Sequence, residues 1–591
     1  MIKQCQNCGA EFEITGDDLN FYAKISVPPP TFCRECRLQR RLAFRNERTL
    51  YKRKCNAPGH SEELISVFSP DKKDRVYDHK EWWGDSWDAM SYGRDIDFAK
   101  PFMGQVRELW REVPDIAVLN INSVNSDYCS ITEGNKNCYL VVGGDFNENV
   151  LYSTFIFNSK DSMDTHWVSK SELTYETIDC ISCSRLLYSR YCEGCFDSAF
   201  LFNCKNCNNC FGCTNLTNKS YYIFNKPYSR EEYMQKLKEL NLGSYIALQK
   251  LKNEFQQKSL QFPRKFARVL RSVNTTGDNL EGVKNCKWSF EVFGGAEDCS
   301  YIWLAYSSVK NCLDVDHFGL NSENSYECST IYPGNKIICS KYIFSSQDVR
   351  YSYNCHNSSN LFGCVGLRNK KFCILNRQYS EEEYNKLVPR IVEHMNSNPY
   401  IDKKGVPYVY GEFFPAELSP FAYNETIAQE YFPLRKEEVL AWGYAWKDIG
   451  KKDYVSTMQA DNIPDSIANV TDSIFGEIIA CAHANSSCNE QCTTAFKIVP
   501  AEFDFYKRMN IPLPHLCPNC RYYARVKQRN PLKLWHRKCE CDGVGSKNAA
   551  YKNSSTHFHK SGACPNEFET SYTPDCPEIV YCEQCYQAEA A

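Results

Sequence analysis

Through the middle of the chain, β-prone runs at 138–142, 150–152, 186–188, 200–202 and 221–224 alternate with clusters of Asn, Ser, Asp and Gly, at intervals of roughly 11 to 13 residues. Strands this short cannot bury a face singly, whereas stacked coils of a parallel β-solenoid build one continuous core from them. The pattern occurs twice. Lys136-Asn137-Cys138 returns as Lys284-Asn285-Cys286, and Ser171-Glu172 with Tyr175-Glu176 returns as Ser322-Glu323 with Tyr326-Glu327. Phe211-Gly212-Cys213 returns as Phe362-Gly363-Cys364. Each copy closes on a capping box, Ser229-x-x-Glu232 or Ser380-x-x-Glu383, ahead of a helix-forming run suited to covering the end of a stack. A further helix is predicted near 100–111, after a Trp82-Trp83 and Trp87 cluster suited to docking.

The two ends share a different pattern. Cys5-x2-Cys8, Phe21-Tyr22, Pro28 to Pro30 and Cys33-x2-Cys36-Arg37 lead into a basic run reaching Cys55. Cys488-x3-Cys492, Phe505-Tyr506, Pro512 and Pro514, and Cys517-x2-Cys520-Arg521 lead into a second basic run reaching Cys539. The interval from Cys8 to Cys33 equals that from Cys492 to Cys517, and the interval from Cys36 to Cys55 equals that from Cys520 to Cys539. Paired Cys turns present four thiolates to one tetrahedral Zn²⁺, a saturated site whose work is folding.

These motifs resemble a small zinc-ribbon family, and their order along the chain is similar to that of large, uncharacterised bacterial zinc-ribbon proteins. The resemblance covers the short Cys motif at each end and implies zinc binding. The middle is similar in pattern to parallel β-helix repeats.

The end-to-end match extends past Cys539, setting His60 against Cys564, Asp78 against Cys582 and Glu81 against Cys585. A third zinc site is therefore expected from Cys539 or Cys541 with Cys564, Cys582 and Cys585, for which His557 and His559 could substitute. Its N-terminal counterpart, Cys55 with His60, Asp78 and Glu81, reads as a degenerate fourth site. The dense series Cys192, Cys195, Cys204, Cys207, Cys210 and Cys213 falls on aliphatic residues or serine at four of its six counterparts in the second copy, which favours buried thiols as core filling over a metal cluster.

Composition narrows the setting. Of 591 residues, 34 are Cys; without a secretory start or a long apolar run, they imply a reducing cytoplasm and no membrane partner. A net charge of −3 leaves nucleic-acid attraction to local patches. Arg37, Arg41, Arg45 and Arg48 recur three or four apart near one helical face, so their guanidiniums could line up on RNA or DNA phosphates, and the C-terminal module repeats the basic run with Arg521, Arg525, Arg529 and Arg537; pairing with carboxylates is the other reading. No phosphate loop, nucleophile elbow or His-Glu-x2-His is present, and Asp314, Asp316 and His317 read as solvated turn residues.

The sequence thus predicts a mainly β multidomain chain: a zinc-ribbon-like module (1–90), a linker helix (91–120), a duplicated parallel β-solenoid with helical caps (121–258 and 259–397), a connector (398–475) and a homologous second module (476–591). Its expected role is a zinc-binding scaffold gripping nucleic acid through the basic modules. The alternatives are a protein-interaction scaffold, or an enzyme acting on carbohydrate or nucleotide in the solenoid groove.

Overall fold

A computed structural model describes residues 1–448, 455–484, 488 and 490–590. The protein is mainly β, with two large sheets rich in parallel pairs. In the first, Glu148–Leu151, Lys160–Met163, Glu172–Tyr175, Ser184–Leu187, Phe196–Ala199, Asn208–Phe211 and Ser220–Ile223 pair in parallel, each strand 12 residues beyond the last. The second runs from Val269–Leu270 to Arg377–Gln378, and its parallel strands advance by 11 to 13 residues. Three further strands that interleave with the first set in sequence, Thr154–Phe157, His166–Ser169 and Ile178–Ile181, pair in parallel as a smaller sheet, again 12 residues apart. We refer to the first sheet together with these strands as the first ladder, and to the second sheet as the second ladder.

The abundance of Asn along these coils has a backbone cause. From Asn137 to Tyr221 every third residue lies in the left-handed region with φ near +50°, so each 12-residue advance contains four such corners. Asn and Gly adopt this conformation at least cost, and Asn203, Asn206, Asn209, Gly212, Asn215 and Asn218 occupy successive corners. Between corners, small side chains point inward. Ser159 donates its hydroxyl to the Phe157 carbonyl (2.9 Å) and accepts the N–H of Ser171 (3.2 Å).

Cysteines use the same geometry. Cys195, Cys204 and Cys213 donate to the carbonyls of Glu193, Phe202 and Phe211 at 3.3–3.5 Å, inside a core shared with Val150, Val168 and Leu186. A thiol and a hydroxyl are thus interchangeable there, which accounts for serine at positions matching cysteine.

Helices Arg230–Leu240 and Glu381–Ser397 follow the ladders, each starting from a complete capping box at Ser229 or Ser380. Helix Phe102–Glu112 lies against the second ladder, with Phe102 and Val106 over Gly363. Trp82 is fully buried and packs edge-on to His356. Among the described residues no helix is long and apolar enough to cross a membrane.

Candidate metal centres, clamps and cleft

Each terminal module sets a Cys pair at the start of a helix. Cys33 caps Arg34–Leu42 and Cys517 caps Pro518–Val526, so Cys36 and Cys520 lie in first turns, where the helix dipole favours thiolate. The sulfurs of Cys5, Cys8, Cys33 and Cys36 all lie within 4.8 Å of one another, a group that could hold a metal ion. Cys8 and Cys33 are 3.8 Å apart. Four thiolates each about 2.3 Å from a tetrahedral ion stand about 3.8 Å apart, so the spacing suits a metal.

The second group is Cys481, Cys492, Cys517 and Cys520. Here the structure adds a residue the spacing did not reveal. Cys481, eleven residues before Cys492, joins the group, while Cys488 belongs to an adjoining one with His483, Glu490 and Cys520 and lies 3.9 Å from the Cys520 sulfur. Cys481 follows strand Ile479–Ala480, which pairs with Ala495–Phe496 and carries it back across the knuckle. The third group is Cys539, Cys564, Cys582 and Cys585, all buried; Cys541 falls in a neighbouring group with His557, His559 and Cys585. At the N-terminal counterpart, His60 stands 3.7 Å from Asp78 and 3.3 Å from Glu81, while the Cys55 sulfur accepts the Ala57 N–H.

The basic helices hold the modules to the ladders, and six of the eight arginines expected at phosphates are turned inward to do so. Arg37 and Arg41, one turn apart, both reach Asp314 of the second ladder (2.9 and 3.5 Å). Arg521 and Arg525 both reach Asp164 of the first (3.1 and 2.8 Å). Arg41 also meets Asp316 (3.0 Å) and Arg45 pairs with Asp316 (2.8 Å) and Glu47. Arg529 ties both ladders, through Asp179 and Glu291.

Arg48 lies 3.7 Å above the Tyr522 ring and donates to Asn519; Arg537 donates to the Thr573 carbonyl. Side chains 0–5% exposed, as those of Arg37, Arg41, Arg45, Arg521, Arg525 and Arg529 are, cannot reach phosphates. Apart from Glu47, the acidic partners named lie hundreds of residues away in sequence. Asp314 and Asp316, read from the sequence as solvated turn residues, are buried with them, and burial and Arg45 press the His317 pKa well below its usual value.

Other contacts repeat between the modules. Tyr22 meets Tyr326 edge-on with ring centroids 5.3 Å apart, and Tyr506 meets Tyr175 at 5.8 Å. Tyr301 donates to Asp18 and Tyr152 to Glu502, both at 3.0 Å. The N-terminal module therefore grips the second ladder and the C-terminal module the first, by matching residues.

Between the ladders lies an open cleft of about 1180 Å³. Phe157 and Trp167 line it from the first ladder, and Phe293, Tyr306, Tyr332 and Phe344 from the second. Trp167 and Tyr306 approach to 6.0 Å between ring centroids across the two. The polar lining balances Glu133, Asp145 and Glu281 against Lys170, Arg268 and Arg271; Asp179, also there, is held by Arg529. Burial raises the Asp145 pKa to about 6, against the opposing effect of the Glu133 N–H it accepts. Sequence reading passed over this site because its aromatic residues are scattered singly over the two ladders.

No family model matches the chain, and no curated protein matches it. Among solved structures, one from Desulfovibrio desulfuricans G20 assigned as an acetyltransferase aligns over 49% of this chain and 82% of its own at 12% identity, with a TM-score of 0.09.

Proposed function

We propose that this chain is a zinc-stapled binding protein of the cytoplasm whose ligand is a neutral carbohydrate chain held in the cleft. In this reading the ladders are two β-solenoids of four-cornered coils, and each zinc-ribbon-like module clamps one of them so that their aromatic faces oppose. The supporting observation is the cleft itself: its volume exceeds the roughly 300–1,000 Å³ usual for one small ligand, which suits several sugar units in a row.

Half-buried Phe157, Phe293, Tyr306, Tyr332 and Phe344 offer flat rings to the C–H faces of pyranoses, while Asn158, Ser307 and Ser345 offer hydroxyl partners. The balance of acids and bases disfavours a phosphate chain, which would call for a basic lining. Thiolate groups select zinc over harder cations.

The test is calorimetric titration with a panel of linear neutral oligosaccharides and, in parallel, with single-stranded nucleic acid. Tyr306→Ala and Phe344→Ala are each expected to weaken oligosaccharide binding at least about tenfold, or ~1.4 kcal/mol. Binding of nucleic acid alone, or saccharide binding indifferent to both substitutions, would overturn the reading.

A further inference from the structure

The third thiol group and its neighbour share one sulfur. Cys585 belongs to Cys539, Cys564, Cys582 and Cys585 and equally to Cys541, His557, His559 and Cys585, and in each group all ligand atoms lie within 4.8 Å. We propose that the C-terminal module binds two divalent metal ions of the zinc class, with Cys585 as a bridging thiolate between them. The proposal rests on the zinc-stapled reading above and extends it from isolated ions to a paired centre.

The second group has the polarity of a metal site. His557 Nε2 stands 2.8 Å from the Glu589 carboxylate, which accepts the proton there and leaves the Nδ1 lone pair facing the Cys541 sulfur at 3.1 Å. That sulfur already accepts N–H bonds from Gly543 (3.3 Å) and Asn553 (3.4 Å), the environment of a thiolate. With Cys541 as a thiolate, as in a metal site, it would face the Nδ1 lone pair, and a cation between them would resolve the repulsion. His559 repeats the arrangement: Nδ1 is engaged by the Gly562 carbonyl at 3.1 Å, and Nε2 faces Cys585 at 3.4 Å.

Second partners that fix the far ring nitrogen are the usual companions of metal-bound histidine. Glu589 is itself held by Tyr551, Ser554 and Ser555. For tetrahedral zinc a sulfur and a nitrogen ligand stand about 3.6 Å apart, close to the spacings here. In the first group Cys564 lies 3.9 Å from Cys582 and 3.7 Å from Cys585, near the edge length for four thiolates. Cys541 and His557 are 0% and 2% exposed, which closes the pair to any substrate and sets it apart from a thiol–imidazole nucleophile.

Elemental analysis of the purified full chain, wild type beside a His557→Ala/His559→Ala variant that retains Cys539, Cys564, Cys582 and Cys585, tests this. The variant is expected to carry one ion fewer per chain. Equal metal content in the two proteins would overturn the pairing while leaving the zinc-stapled reading intact; a wild type devoid of metal would overturn that reading as well. Should the variant not fold, Co²⁺ loaded into the metal-free wild type serves instead. A bridging thiolate couples the two ions magnetically and suppresses part of the electron paramagnetic signal, whereas signal that rises in proportion to bound cobalt contradicts the bridge. Rapid alkylation of Cys541 in the metal-replete protein would also contradict it.

Discussion

Replacing Arg41 with methionine tests whether the basic helices are internal locks. Arg41 is fully buried, with its Nε 3.0 Å from Asp316 and its Nη1 3.5 Å from Asp314 and 3.4 Å from Glu327. Methionine keeps most of the stem's packing and removes the charge, leaving those carboxylates in a dry site with Arg37, Arg40 and Arg45 alone to compensate. Breaking a buried pair from one side costs about 3–5 kcal/mol. For a cooperative unit of about 150–250 residues, 1 kcal/mol moves the melting temperature by about 2–4 °C, so the expected loss is roughly 6–20 °C. Scanning calorimetry at low and high salt is the assay, and the loss should persist at high salt because buried pairs are weakly screened. Lys52→Met, at an exposed pair with Glu63, is the control and should leave melting unchanged. An Arg41→Met protein that melts with the wild type while losing nucleic-acid affinity would refute the reasoning and restore a phosphate-binding role.

Stability should depend on pH through buried carboxyls. Burial raises the Glu430 pKa to about 7, against the opposing Tyr522 hydrogen bond, and raises that of Asp115 to about 7, against the Trp110 N–H. Between the ordinary carboxylate range and pH 7 the folded state holds protons the unfolded state has lost, so stability falls as pH rises to about 7 and then levels; Glu430→Gln should flatten this slope in denaturant titrations. In the first ladder, Cys204→Ser should cost less than about 1 kcal/mol because the hydroxyl can reuse the Phe202 carbonyl, whereas Cys204→Leu should cost about 1–3 kcal/mol by overpacking; urea midpoints separate the two. Gly277→Ala should abolish soluble expression or lower melting sharply, because a Cβ there would stand 1.8 Å from the Ser289 carbonyl oxygen.

The mainly β character and the terminal Cys groups were legible because both are local signals. Strand-length runs recur at a fixed interval, and two-residue Cys spacings carry their geometry with them. The role of the arginines was not legible, since Arg41 and Asp314 stand far apart in the sequence, and a run of arginines on a helix looks the same whether it faces water or a neighbouring carboxylate. Asp164 and Asp314 gave no more signal than ordinary turn residues. Cys481 escaped notice because its knuckle closes across a two-stranded hairpin rather than within a four-residue turn. The shared position of Cys585 depends on the return of helix Glu583–Ala590 against the His557 loop, which no spacing encodes.

The central claim is that metal-held modules clamp the ladders. Hydrogen exchange on the full chain before and after chelation tests it most directly. Removing metal should release protection in helices Arg34–Leu42 and Pro518–Val526 and also in the strand segments they cover, Leu313–Gly319 and the stretch around Asp164, while Ser184–Leu187 stays protected. Unchanged protection of both helices in the metal-free protein would contradict the account.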